Sequence, residues 1–84
     1  MTNKEILKRQ IIYRSKHRGT KEMDFILGSF VEKHIDKLSE TELEDLKKIL
    51  VIDDEILSGW YFQKKDSDLI SYNKISQMLK DFKL

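Results

Sequence analysis

The chain lacks cysteine and proline and contains only three glycines among its 84 residues. Without cysteine it can form neither a disulfide nor a thiolate metal site, and it has no cysteine nucleophile. No apolar run approaches the roughly 18 to 20 residues of a membrane-spanning helix, and the amino-terminal residues MTNKEILKRQ contain no apolar signal core. We therefore expect a protein that is made and kept in the cytosol, a reducing compartment.

Sequence signatures of catalysis and metal binding are also missing. There is no G-x-S-x-G, Walker or G-x-G-x-x-G pattern, and neither His17 nor His34 belongs to a metal-ligand pattern such as H-E-x-x-H. We interpret His34 as a histidine at the edge of the core, and the acidic residues 53–55 as favourable charges at a helix N-terminus. We expect no catalytic residue, no metal site and no firmly bound cofactor.

Hydrophobic residues make up 39% of the chain and charged residues 37%, a balance typical of a helical domain with solvated outer faces. Apolar residues recur with helical spacing, and strand-type alternation is nowhere sustained. The sequence therefore predicts a single all-α domain over residues 1–84. We expect five short helices: about 3–16, about 20–35, one capped by Ser39, one capped by Asp53 or Asp54, and one capped by Asp66 or Ser67.

The second predicted helix has the clearest pattern, a single apolar stripe formed by Met23, Ile26, Leu27, Phe30, Val31 and His34. Phe25 falls on the opposite face, so it needs a neighbour elsewhere in the chain or in a partner. Gly28 costs roughly 1 kcal/mol relative to alanine inside a helix, and we interpret it as permitting a close helix crossing.

The other helices give further expectations. Ser39 and Glu42 match a capping box, flanked by the hydrophobic staple of Leu38 and Leu43. Trp60 is either a core anchor or a stacking or interface residue, and the needs of so small a core favour the former. The predicted inward residues are Ile6, Leu7, Ile11 and Tyr13 in the first helix, with Ile12 off that arc, and Tyr72, Ile75, Leu79 and Phe82 in the last.

Charge is unevenly distributed although the net charge is only +1. Residues 1–22 contain seven basic side chains and two acidic ones, whereas residues 32–55 contain nine acidic and four basic ones. We expect a basic end and an acidic belt, which bear on the choice of partner rather than on the fold.

The stretch HRGTKEMD (residues 17–24) has two interpretations. As a helix junction, Gly19 ends the first helix in the left-handed conformation, Thr20 caps the second, and Glu22 favours its dipole. As a recognition surface, it concentrates like charge that an acidic or phosphate group could meet. The missing Cβ of Gly19 would let another backbone or a ligand approach closely. Arg18 has a planar guanidinium group suited to binding a carboxylate or phosphate.

Arg18-Gly19-x-x-Glu22 at the join of two helices resembles the RGxxE motif of the succinate dehydrogenase assembly factor family, which includes the bacterial SdhE proteins and their mitochondrial counterparts. The resemblance covers nearly the whole chain, because F-V-E, L-S-x-x-E and D-D-x-x-L-x-x-W follow in order. Glu55 stands where bacterial members often have a proline that opens the fourth helix.

This resemblance implies a five-helix assembly factor rather than an enzyme, acting in the bacterial cytoplasm. Such factors bind the flavoprotein subunit of succinate dehydrogenase, and in some bacteria that of fumarate reductase, and promote covalent attachment of FAD to a histidine of that partner. FAD would thus be the partner's cofactor. The resemblance implies that Arg18, Gly19 and Glu22 contact the partner, with Arg14, His17, Lys21 and Asp54 as further candidates.

Two other functions fit parts of the sequence. A small helical nucleic-acid-binding protein would use the basic first helix, but the acidic belt and the lack of a recognition-helix pattern oppose it. An antitoxin-like regulatory adaptor would bind a different protein. Salt-dependent DNA binding would indicate the first alternative, and capture of another partner would indicate the second.

Overall fold

The computed structural model describes residues 2–16 and 21–83. Within these ranges all regular structure is helical. The α-helices are α1 (Asn3–Lys16), α2 (Lys21–His34), α3 (Glu40–Leu50), α4 (Asp54–Phe62) and α5 (Lys74–Asp81), with a 3₁₀ turn at Ile35–Lys37. The prediction of an all-α fold with five helices is confirmed.

The helices enclose one hydrophobic core. α1 packs against both α2 and α3, and α3 also packs against α5. Every α-helix contributes buried apolar side chains, and those with no exposed surface are Ile11, Met23, Leu27, Phe30, Leu43, Leu46, Leu57, Ile75 and Leu79. No helix in the described ranges is both long enough and apolar enough to cross a bilayer.

α2 is oriented by its predicted stripe. Met23, Leu27 and Phe30 are fully buried, and Ile26 and Val31 are nearly so. His34 closes the stripe at the edge of the core, where its ring lies 4.7 Å from that of Phe30. This prediction is confirmed.

α3 begins with the predicted capping box. The backbone N–H of Glu42 donates to Ser39 Oγ at 3.2 Å, and the backbone N–H of Ser39 donates to Glu42 Oε1 at 2.9 Å. Glu42 Oε2 also lies 2.9 Å from Lys74 Nζ, so the box is linked to α5. The Ser39 N–H, followed by the Lys74 ammonium, lowers the pKa of Glu42 to about 2.

α4 supports the core interpretation of Trp60. That side chain is only 7% exposed, and Lys80 Nζ covers its ring at 5.4 Å from the centroid. Asp53 occupies the predicted N-cap position but forms no side-chain capping hydrogen bond. At the other end, Lys64 adopts a left-handed conformation with φ of 58°, as the residue after a helix end commonly does.

The cap predicted for α5 is wrong. Ser67 Oγ accepts a hydrogen bond from the Leu69 N–H inside the loop. The helix begins later, at Lys74, and its N-cap residue is Asn73. Asn73 Oδ1 accepts from the Ser76 N–H and Ser76 Oγ accepts from the Asn73 N–H, both at 2.9 Å. Tyr72 therefore precedes the helix and is 87% exposed, so its predicted place on the inner face is also wrong.

The inward arc predicted for α1 is wrong in part. Ile11 is buried and Leu7 packs against the core, but Ile6 and Tyr13 are 41% and 64% exposed. Ile12 lies off the buried strip, as predicted. The strip is narrow because Ile11 and Ser15, four residues apart, are the residues of α1 that become fully buried.

The outer side of α2 also differs from expectation. Apart from its chain neighbours and the backbone of its own helix, no atom of the described residues lies within 4 Å of a Cβ built on Gly28. Gly28 therefore does not permit a close crossing with another described helix, and that interpretation is wrong. Phe25 lies on the same side and is 63% exposed.

Candidate partner-binding site

Four of the predicted contact residues lie on described helices. Arg14 is in the last turn of α1, Lys21 and Glu22 open α2, and all three are exposed. Because α1 packs against α2 and only residues 17–20 separate them, we place these three residues in one region around the helix junction. Asp54 lies in the first turn of α4 and is half-buried.

His17, Arg18 and Gly19 lie outside the described residues, as does Thr20, the predicted cap of α2. Their roles rest on the sequence alone and stay predictions. Both interpretations of HRGTKEMD, a helix junction and a recognition surface, therefore stay open at residues 17–20.

Two buried side chains anchor this end of the molecule. Ser15 has no exposed surface, and its hydroxyl donates to the carbonyl oxygen of Ile12 at 2.9 Å. Met23, in the first turn of α2, is also fully buried. The burial of Ser15 was not predicted, although this residue lies four positions after Ile11 on the same helix face. Since these anchors face inward, Arg14, Lys21 and Glu22 are directed to solvent.

Helix dipoles account for some of the charges here. The C-terminus of a helix favours cations and its N-terminus favours anions, so Arg14 and Lys16 at the end of α1 and Glu22 at the start of α2 have a structural justification. Lys21 does not, since it places a cation at a helix N-terminus. The stability of α2 therefore does not explain the position of Lys21.

Not every basic side chain of the amino-terminal segment is available to a partner. Lys8 Nζ lies 3.2 Å from Asp36 Oδ1 in the 3₁₀ turn, which ties the middle of α1 to the chain beyond α2. Asp36 belongs to the predicted acidic belt. Part of the charge asymmetry in the sequence is therefore neutralised within the fold, whereas the exposed cations Arg14 and Lys21 lie closer to the junction.

The described residues contain no group of three histidine or acidic side chains that could hold a metal ion. His34 contacts two aromatic rings, those of Phe30 at 4.7 Å and Phe82 at 6.2 Å. Burial, and then Lys33 and Lys37, lower its pKa from the ordinary value of 6.5. These contacts fit the predicted core-edge histidine.

Comparison with known proteins assigns the chain to a family. The family model described as "Flavinator of succinate dehydrogenase" matches residues 9–83, from the middle of α1 to beyond the end of α5. The chain belongs to this family. No solved structure matches it.

The names of similar curated proteins agree with this family. The FAD assembly factor SdhE of Acetobacter pasteurianus is 40% identical over 55 residues, which cover 66% of this chain and 50% of that protein. The mitochondrial succinate dehydrogenase assembly factor 2 of Dictyostelium discoideum is 37% identical over 62 residues, which cover 74% of this chain and 44% of that protein. The corresponding assembly factor of Arabidopsis thaliana is 30% identical over 78 residues, which cover 92% of this chain and 42% of that protein. This chain thus spans half or less of the length of these relatives.

Proposed function

We propose that this protein binds the flavoprotein subunit of succinate dehydrogenase and promotes the covalent attachment of FAD to it. The observation that carries the proposal is the family match over residues 9–83, because it includes the junction of α1 and α2. The names of the relatives, an FAD assembly factor and succinate dehydrogenase assembly factors, agree with it. Bacterial cytoplasm is the proposed location, supported by the bacterial relative and the absence of cysteine.

The proposed contact consists of Arg18, Gly19 and Glu22, with Arg14, His17, Lys21 and Asp54 as further candidates. Arg18 would form paired hydrogen bonds with a carboxylate of the partner. Gly19 would let the partner's backbone approach, and Glu22 would accept hydrogen bonds from donors across the interface. The exposure of Glu22, Arg14 and Lys21 supports such a surface.

The protein would act by positioning. By holding the flavoprotein so that its histidine faces the flavin in an attack geometry, it would lower the entropic cost of bringing the two groups together. The flavin of the partner would supply the redox chemistry. Joining a carbon to a nitrogen in place of one C–H and one N–H bond releases two protons and two electrons, and the flavin ring can accept them. The factor itself needs no catalytic residue for this step.

The test is flavin attachment in cells that lack the native factor. Cells would receive the wild type, Arg18→Ala, Gly19→Arg or Glu22→Gln, and covalent flavin fluorescence of the flavoprotein subunit would be read after denaturing electrophoresis. We expect the wild type to restore the signal and the three variants to lose most of it. Lys48→Ala removes an exposed cation of α3 and is the matched control, which should restore attachment fully.

Other results would reject the proposal. A wild-type protein that restores no signal would overturn the proposed function. Full flavin attachment with a soluble Gly19→Arg variant would reduce the motif to a helix junction. Salt-dependent DNA binding by the purified protein, without flavoprotein binding, would favour the nucleic-acid alternative, whereas capture of a different protein would favour a regulatory adaptor.

A further inference from the structure

The outer face of α2 consists of Phe25, Gly28, Ser29 and Glu32, opposite the buried stripe. These residues lie at i, i+3, i+4 and i+7 and so share one side of the helix. Phe25 and Glu32 are exposed, and Gly28 and Ser29 are partly so. Glu22, one of the proposed contacts, lies three residues before Phe25, so the outer face continues from the proposed site along the same helix.

Neither unusual residue on this face serves the fold. Phe25 is 63% exposed, and α2 is already held by its fully buried residues on the other side. Gly28 weakens a helix interior relative to alanine, yet a Cβ there would meet no side chain and no other helix of the described residues within 4 Å. Its φ is not positive, so the backbone does not require glycine either.

Together these residues have the properties of a contact surface. An exposed phenylalanine can fill a pocket on a partner, as aromatic anchors do in protein interfaces. A glycine one helical turn away lets the partner's backbone come close to the helix. A single exposed apolar residue is ordinary, but a phenylalanine paired with an unneeded glycine beside the proposed contact residue Glu22 indicates a surface selected for binding.

We infer that the outer face of α2 extends the flavoprotein-binding surface beyond the helix junction, with Phe25 as an apolar anchor and Gly28 as a point of close backbone approach. The inference rests on the proposed function. The flavoprotein is the occupant because the face is continuous with Glu22, which the same partner would contact. A second copy of this chain is the alternative occupant that the experiment must separate.

The experiment measures the affinity of purified variants for the purified flavoprotein subunit by isothermal titration calorimetry, together with thermal melting. Phe25→Gln removes the anchor and Gly28→Gln adds a side chain where the inference requires none. We expect each to bind at least tenfold more weakly than the wild type. Gly28→Gln should melt no lower than the wild type, because glutamine favours a helix more than glycine does.

Two control variants accompany these. Tyr72→Gln removes an aromatic side chain that is 87% exposed, outside α2, and should bind within twofold of the wild type. Gly28→Ala should raise the melting temperature and weaken binding less than Gly28→Gln does. Higher stability with weaker binding is a combination that a purely structural role of Gly28 would not produce.

The outcomes separate this inference from the proposed function. If the wild type binds the flavoprotein and both glutamine variants bind equally well, the inference is wrong while the proposed function stands. If the wild type neither binds nor restores flavin attachment, the proposed function fails and the inference falls with it. If sedimentation shows a wild-type dimer that Phe25→Gln dissociates without changing flavoprotein affinity, the occupant is a second copy and the inference is overturned.

Discussion

The inner and outer faces of α2 belong to the same 14 residues but are determined by different requirements. On the inner face, Met23, Leu27 and Phe30 have no exposed surface, so each side chain is fixed by the volume available in the core. On the outer face, Phe25 is 63% exposed, and among the described residues no side chain or other helix limits the space at Gly28. Stability therefore accounts for one side of this helix, whereas the residues of the other side need an explanation outside the fold.

The largest expected effect contrasts two phenylalanines, one on each face. Phe30→Ala should destabilise the protein by roughly 3 kcal/mol or more, because it leaves a cavity among packed side chains, including Phe82, whose ring is 5.4 Å away. Phe25→Ala should change the free energy of unfolding by no more than about 0.5 kcal/mol. Urea denaturation measures both, and similar losses for the two variants would remove the distinction between the faces.

A smaller effect concerns α3, which packs against α1 and α5 and so helps to hold the core that α2 faces. Ser39→Ala removes the side-chain acceptor of the capping box and should cost about 1 kcal/mol. The control is Thr41→Ala, which changes an exposed residue in the same helical turn and leaves the box intact. Equal stability of Ser39→Ala and the wild type in urea denaturation would show that the box does not contribute.

Some helices could be predicted from the sequence more accurately than others, for a physical reason. α2 has one apolar stripe and α3 has a specific capping box, so each has a single plausible arrangement. α1 carries apolar residues over a wide arc, and periodicity could not show that only the strip around Ile11 and Ser15 would be fully buried. The segment before α5 offers several possible caps, and local pattern did not distinguish Asn73 from Ser67.

The candidate site was predictable to a lesser extent. Its location depends on the resemblance of Arg18, Gly19 and Glu22 to a family motif, which helix periodicity alone does not provide. The structure adds the exposure of Arg14, Lys21 and Glu22. Neither exposure nor charge identifies a partner, because those quantities describe one side of an interface.

A still smaller change in stability is expected at the predicted site. Because the sequence predicts an exposed Arg18, Arg18→Ala should alter the free energy of unfolding by no more than about 0.5 kcal/mol, while abolishing most flavin attachment. Like Phe25→Ala, it would then separate function from stability. A loss of stability as large as that of Phe30→Ala, measured by the same urea denaturation, would make Arg18 a structural residue and contradict the site assignment.

The smallest effect is a pH dependence at the end of the inner face. Burial, followed by Lys33 and Lys37, lowers the pKa of His34 below the ordinary 6.5, so the folded protein binds a proton there less readily than the unfolded chain. The stabilising contribution of neutral His34 is therefore fully present above about pH 7 and decreases as pH falls through 6.5 towards the lowered pKa. Acidification from pH 8 to pH 5 should consequently destabilise the wild type slightly more than His34→Gln.

Between pH 8 and pH 5, the effect of His34 on stability can be distinguished from that of the capping box. Glu42 has a pKa of about 2 in the folded protein against 4.5 ordinarily, so its contribution is lost mainly below about pH 4.5. Urea denaturation at pH 8, 6.5 and 5 therefore isolates the histidine. Ser39→Ala serves as the control, since it keeps His34 and should retain the wild-type dependence across this window. If the wild type and His34→Gln lose the same stability between pH 8 and pH 5, the burial of His34 among the aromatic rings has no effect on its protonation.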